Sequence, residues 1–158
     1  EMIKGSSKSK KFAGEIFNLL LIGLFFLILI IELFMPTFVG LIAPGFTGDS
    51  VKIKLATDLT RITFPFLMFI SLASFFSAIL NSHNRFAAAS AAPIILNIVL
   101  IGILIFSKKL NDQLVYYLSY GVSISGLLQL LFLYKFVNKF YQVQFNFNFK
   151  FSKEVKLL

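Results

Sequence analysis

The sequence predicts an all-α fold, a polytopic membrane bundle of four helices, and three observations carry that prediction. Of the 158 residues, 58% are hydrophobic and only 14% are charged. The apolar residues gather into four long runs. Short, polar, turn-forming stretches separate the runs.

Soluble domains are roughly 45–50% apolar and about 25% charged. A chain this short has too little interior to hide the surplus apolar surface from water. A bilayer removes that difficulty, because the outside of the protein can then be as apolar as its inside. The mean hydropathy of +0.86 agrees.

The first run covers residues 12–43, and its stretch 16–31 carries no charge. The second covers 59–80, with no charge after Arg61. The third, 86–106, and the fourth, 114–134, are uncharged throughout. At about 1.5 Å per residue, each run is long enough to cross a hydrocarbon core of about 30 Å. Such segments must be helical, because lipid offers no partner to an open backbone N–H or C=O.

The connections read as turns. Pro44-Gly45 opens the first, which also holds Gly48 and Asp49; residues 81–85 form a tight second; residues 108–113 form the third. Short connections make sequential helices antiparallel neighbours. Small residues recur four apart at Ser74/Ala78, Ala87/Ala91, Ala88/Ala92, Ser119/Ser123 and Gly121/Ser125. They allow membrane helices to approach closely.

The net charge of +8 does not indicate nucleic acid, because the basic residues sit at segment ends rather than along one face. With four spans, the N-terminal segment, the second turn and the C-terminal tail share one side. That side carries ten Lys and Arg residues against five on the other. The positive-inside rule then makes both ends cytoplasmic. In the tail, Phe145, Phe147, Phe149 and Phe151 alternate with polar residues, which is expected to form an interfacial segment. Ser152 and Glu154 read as the start of another helix, so residues 135–158 are expected to lead into a further span. The chain is expected to be an internal fragment of a longer transporter.

Catalytic patterns are absent. There is no cysteine and a single histidine, His83, in a turn; no metal, cofactor or nucleophile signature occurs. Polar residues within the runs are more informative. Glu32 lies in the outer part of the first run, where an ionisable group marks a functional site or snorkels to the interface. Pro93 removes a backbone donor and should kink the third run. Asn97, four residues on, could cap the freed carbonyls, bond across to a neighbour or line a polar path. Gln129 carries the same alternatives. Arg61 and Pro65 open the second run, where Arg61 either anchors a helix end or binds substrate.

Residues 60–97, TRITFPFLMFISLASFFSAILNSHNRFAAASAAPIILN, carry a recognisable arrangement. Arg61 is followed by Phe64-Pro65, a small-residue helix, Leu80-Asn81, Arg85-Phe86, Pro93 and Leu96-Asn97. The Ala43-Pro44-Gly45-Phe46 turn and the Gly126–Gln129 stretch fit as well. This pattern resembles the MurJ (MviN) family of lipid II flippases, within the multidrug/oligosaccharidyl-lipid/polysaccharide (MOP) exporter superfamily.

The resemblance implies that the four runs are helices three to six of a larger, fourteen-helix MOP/MATE-like transporter. It implies a place in the bacterial inner membrane and lipid II, the undecaprenyl-pyrophosphate-linked peptidoglycan precursor, as substrate. Surrounding lipids and the remaining helices would be the other partners. The family's essential cations lie mainly on helices one, two and eight, so no substrate ligand is carried over. Arg61, Asn81, Arg85, Pro93 and Asn97, with Pro65, match motif positions and are expected to support the N-terminal lobe. Three alternatives stay open: another exporter of the same superfamily, for a polysaccharide lipid or a drug; a non-transporting membrane scaffold subunit; and a membrane-embedded lipid-transferring enzyme, which would need Asp, Glu or His clustered near one interface, whereas the acids are scattered.

Overall fold

The computed structural model describes residues 7–107, 113–139 and 141. The N-terminal residues before them, part of the third connection and the phenylalanine-alternating tail lie outside the described residues. Among the described residues the fold is entirely helical. Its elements are α1 (Ser7–Leu33), α2 (Met35–Ile42), a single 3-10 turn (Pro44–Phe46), α3 (Ser50–Thr63), α4 (Pro65–Ser82), α5 (Phe86–Phe106) and α6 (Leu114–Asn138).

Among the described residues, four helical stretches are long and apolar enough to cross a membrane: Ser9–Leu33, Ser50–Ser82, Phe86–Phe106 and Leu114–Asn138. Successive long helices run antiparallel. One end of the bundle therefore collects the start of α1, the α4–α5 turn and the end of α6. The opposite end collects the end of α1, α2, α3, the end of α5 and the start of α6.

The first two runs differ from the sequence expectation in detail. The first is two helices, not one. Phe34 ends α1, with its N–H shared between the carbonyls of Ile30 (3.3 Å) and Ile31 (3.1 Å). Pro36 in the first turn of α2 has no N–H to continue the α1 ladder, so the chain bends there. The second run begins at Ser50, well before residue 59. Asp49 caps α3 by accepting the N–H groups of Val51 (3.0 Å) and Lys52 (3.1 Å). Lys, Thr and Asp dilute the hydropathy of α3, which is why the apolar signal starts late. Its threonines turn their hydroxyls back onto the helix, Thr57 to Ile53 O and Thr60 to Ala56 O, both at 2.7 Å. Phe64 separates α3 from α4, and Pro65 opens α4, where a missing N–H costs nothing.

The α6 helix is the centre of the bundle. It packs most extensively on α4 and α5 and also reaches α3, while α1 lies against α4 and α2 pairs with α3. Its contact stripe is small or polar, with Ser119, Gly121, Ser125, Gly126 and Gln129 buried, so the backbones approach closely. A Cβ on Gly126 would lie 2.6 Å from the Phe66 ring and 3.2 Å from Phe69 Cβ. Ser123 ties α6 to α3 as well, by donating its hydroxyl to the carbonyl of Ile62.

Two apolar cores result. One joins Ala13, Phe76, Leu80, Leu133 and Val137 at the end holding the start of α1. Within it the Phe17 ring stacks on Phe76 at 5.1 Å, and Phe76 meets Tyr134 at 5.7 Å. The other core, at the opposite end, is built on Met35, Val39 and Phe64. Outside these cores the long helices are bare: Phe26 is 57% exposed, Ile98 64% and Phe106 87%. Returning one such side chain from water to an apolar setting is worth about 1.5–3 kcal/mol, so faces of this extent are stable only against lipid or further helices. The chain is a multi-pass membrane protein.

Candidate functional site

An ion pair lies where α1, α3 and α4 meet. Glu32 comes from the last turn of α1 and Arg61 from the last turn of α3. Arg61 Nε stands 3.9 Å from Glu32 Oε2, with the two side chains 46% and 29% exposed. That spacing is an ion pair and not a hydrogen bond. The pair edges an open groove of about 480 Å³, whose walls include Phe25, Leu29, Pro65 and Met68. Phe64 and Pro65 join α3 to α4 just after Arg61, and Pro65 forms part of the wall. The arrangement offers one cation and one anion over an otherwise apolar trough. It can hold a charged group at a membrane boundary.

The other motif residues lie elsewhere. Asn81 and Arg85 frame the α4–α5 turn at the opposite end. There the Arg85 N–H reaches Leu80 O (2.9 Å) and the Asn84 N–H reaches Asn81 O (3.0 Å). Asn84 adopts φ 59°, the left-handed conformation that such a helix ending requires. The Leu-Asn and Arg-Phe pairs of the motif therefore bracket a helix terminator. Pro93 and Asn97 lie within α5, one turn apart and both exposed. Asn97 makes no side-chain hydrogen bond among the described residues. The helix runs on through Pro93. The sequence motif thus maps to three places and does not form one site. Only Glu32, Arg61 and Pro65 converge.

Gln129 is inside the bundle, 1% exposed, with its Nε2 unpartnered among the described residues. Several polar residues were not singled out by sequence. Glu15 and Asn18 of α1 are both buried, although their run scores as uninterruptedly apolar just beyond them. Tyr141 joins the start of α1 to the α4–α5 turn: its hydroxyl is 2.7 Å from Ser9 Oγ and its ring is 5.0 Å from His83. A second groove, lined by Arg85 and Lys139, was also missed, because its members are far apart in sequence.

Comparison with known proteins places this architecture. The family model described as lipid II flippase MurJ matches residues 1–157. A protein of Rickettsia prowazekii named probable lipid II flippase MurJ is 36% identical over 140 residues, covering 88% of this chain and 27% of that protein. One of Rhizobium tropici with the same name is 40% identical over 134 residues, covering 82% and 25%. The lipid II flippase MurJ of Burkholderia cenocepacia is 36% identical over 90 residues, covering 57% and 17%. The chain spans about a quarter of the length of the curated relatives with the longer matches. With a family model matching nearly its whole length, on a bundle of membrane-length helices, the chain belongs to the lipid II flippase MurJ family.

Proposed function

We infer that the protein moves lipid II across the bacterial inner membrane, and that the residues described here form part of one lobe of the transporter. The family match over residues 1–157 carries the reading. The physical task is to take a pyrophosphate–sugar headgroup through hydrocarbon while its lipid tail stays in the bilayer. That task requires a polar path that opens to one side at a time, as two lobes rock around it.

In this reading both ends of the chain face the cytoplasm, supported by the ten-to-five bias of Lys and Arg. The Glu32–Arg61 groove then lies toward the periplasmic side. Its ion pair is a weak electrostatic contact between α1 and the α3–α4 junction. Arg61 attracts the departing anionic headgroup, and Glu32 offers it a competing partner, so the headgroup is not held. The chain is a transporter component in this reading, and no catalytic residue is assigned. Asn81, Arg85, Pro93 and Asn97 shape the lobe and do not touch substrate.

The test is complementation. The natural full-length gene, expressed in cells depleted of their own lipid II flippase, should restore growth and cell shape. Failure to restore growth, with the protein present in the membrane, would direct the assignment to another exporter of the same fold.

A further inference from the structure

At the end of the bundle that holds the Glu32–Arg61 pair, the α2–α3 hairpin stands higher than its neighbours. Ser123 of α6 meets Ile62 of α3, so those two residues share a level. From that level α3 runs on for twelve residues to Ser50, about 18 Å. A Cβ on Gly121, two residues further out along α6, would meet Ile103 of α5. From Ile103, α5 has only three residues left before it ends at Phe106, about 4.5 Å. Along the helix axes, the hairpin tip therefore overhangs the end of α5 by about 10 Å.

That overhang sets the surroundings of the tip. The 21 uncharged residues of α5 measure about 31 Å, which just fills a hydrocarbon core of about 30 Å. The end of α5 thus marks the edge of the hydrocarbon, and the headgroup layer beyond it is only about 5–8 Å deep. The hairpin tip lies past that depth, above the acyl chains. Yet the tip is apolar: Leu41 is 77% exposed, Ile42 68% and Val51 74%, with Phe46 exposed on the turn between them. It is also well built. Asp49 caps α3, the Thr47 hydroxyl donates to Pro44 O at 2.7 Å, and Met35 and Val39 bury α2 in the core that Phe64 completes. The Lys52–Asp49 ion pair, at 3.0 Å, and exposed Lys54 give the patch a polar rim. An exposed apolar centre with a polar rim is the anatomy of a protein-binding surface.

We propose that this tip docks on the remaining helices of the natural chain, at their ends on the same side of the membrane. Its height separates it from lipid. The chain spans about a quarter of the length of its curated relatives with the longer matches, so most of the protein lies outside it. Those parts are tethered to the hairpin and reach it at an effective concentration that no free partner matches. The hairpin also flanks the Glu32–Arg61 groove, since α2 starts three residues after Glu32 and α3 ends two residues after Arg61. The proposal rests on the two-lobe reading above for the existence of a second lobe, and it adds a surface by which the lobes meet.

The experiment places a photo-crosslinking amino acid at position 41 of the natural full-length protein in its membrane, and mass spectrometry identifies what it captures. The expected product is a crosslink to peptides of the same chain from outside residues 1–158. Ile42→Asn, at a side chain too exposed to carry the fold, should lower that capture about tenfold. Lys54→Ala should leave it unchanged. The same probe at position 98, on the bare face of α5, should capture lipid. Four results would overturn the proposal: lipid adducts at position 41 matching those at 98, capture confined to residues 1–158, capture only of another protein or of an isotope-labelled second copy, or no capture at all. The crosslink needs no lipid II. A protein that fails to move lipid II but forms it keeps the hairpin contact, and one that moves lipid II without forming it loses the contact alone.

Discussion

Gly126→Ala is the most revealing single substitution at the α4–α6 contact. In an isolated helix the change should help, because glycine is about 1 kcal/mol less favourable than alanine in a helix interior. At this position the new Cβ would lie 2.6 Å from Phe66 Cδ2, 3.2 Å from its Cε2 and 3.2 Å from Phe69 Cβ. The Phe66 ring can rotate away. Phe69 Cβ cannot, because it is fixed to the α4 backbone, so the two helices must separate. Overpacking of this kind costs typically 1–3 kcal/mol. Set against the propensity gain, the net effect is a loss of up to roughly 2 kcal/mol. Two positions serve as controls. A Cβ on Gly23 meets nothing within 4 Å, so Gly23→Ala should be neutral or stabilising. A Cβ on Gly121 would meet the Ile103 Cδ1 tip, a methyl that can swing aside, so Gly121→Ala should cost less than Gly126→Ala. Equilibrium unfolding of the full-length protein in mixed micelles would rank the three. Finding Gly126→Ala as stable as Gly23→Ala would refute the close approach of α4 and α6.

Three other outcomes follow from the same geometry. A double-mutant cycle on Glu32→Gln and Arg61→Gln should give a coupling below about 1 kcal/mol, shrinking with salt, because the pair is long and partly exposed; a coupling several times larger would mean a buried, hydrogen-bonded pair. Asn84→Gly should hold or raise stability, whereas Asn84→Val should lower it by about 1 kcal/mol or more, since φ 59° suits glycine and opposes a β-branched residue; unfolding midpoints would show it, and a tolerated valine would rule out the left-handed terminator. The backbone N–H groups and ammonium beside Asp49 hold its carboxyl below the usual carboxylate range, the Lys52 N–H foremost and Lys52 Nζ at 3.0 Å from Oδ2. A depressed native value means the cap's contribution is complete above the unfolded carboxyl pKa of about 3.9 and fades as pH falls through the native one. A carboxyl carbon-13 titration of Asp49 should therefore show its inflection below that of an unfolded-chain aspartate, and an inflection at or above it would contradict the cap.

Much of the fold was legible because lipid enforces it. Helices α5 and α6 begin where the third and fourth runs begin, since an uncharged run of that length has no other stable form in a bilayer. The α1–α2 bend and the long polar start of the second span were not legible. A hydropathy run cannot distinguish one helix from two joined at Phe34. Nor does it register α3, which is built from Lys, Thr and Asp and is held by an Asp49 cap and inward-turned hydroxyls. The motif residues were legible as a set, but their grouping was not. Glu32 and Arg61 are brought together only by the antiparallel return of the chain, and Arg85 and Lys139 only by the position of α6 against the α4–α5 turn. Such pairings depend on helix rotation, and runs that are apolar all round carry little information about rotation.

Translocation of lipid II is the proposed function. Its most direct test is to reconstitute the full-length protein into liposomes carrying labelled lipid II on one leaflet and to follow the label's appearance on the other. Protein-dependent transfer, weakened by Arg61→Ala, is the predicted result. Transfer of a different polyprenyl-linked sugar lipid with lipid II left in place would contradict the account.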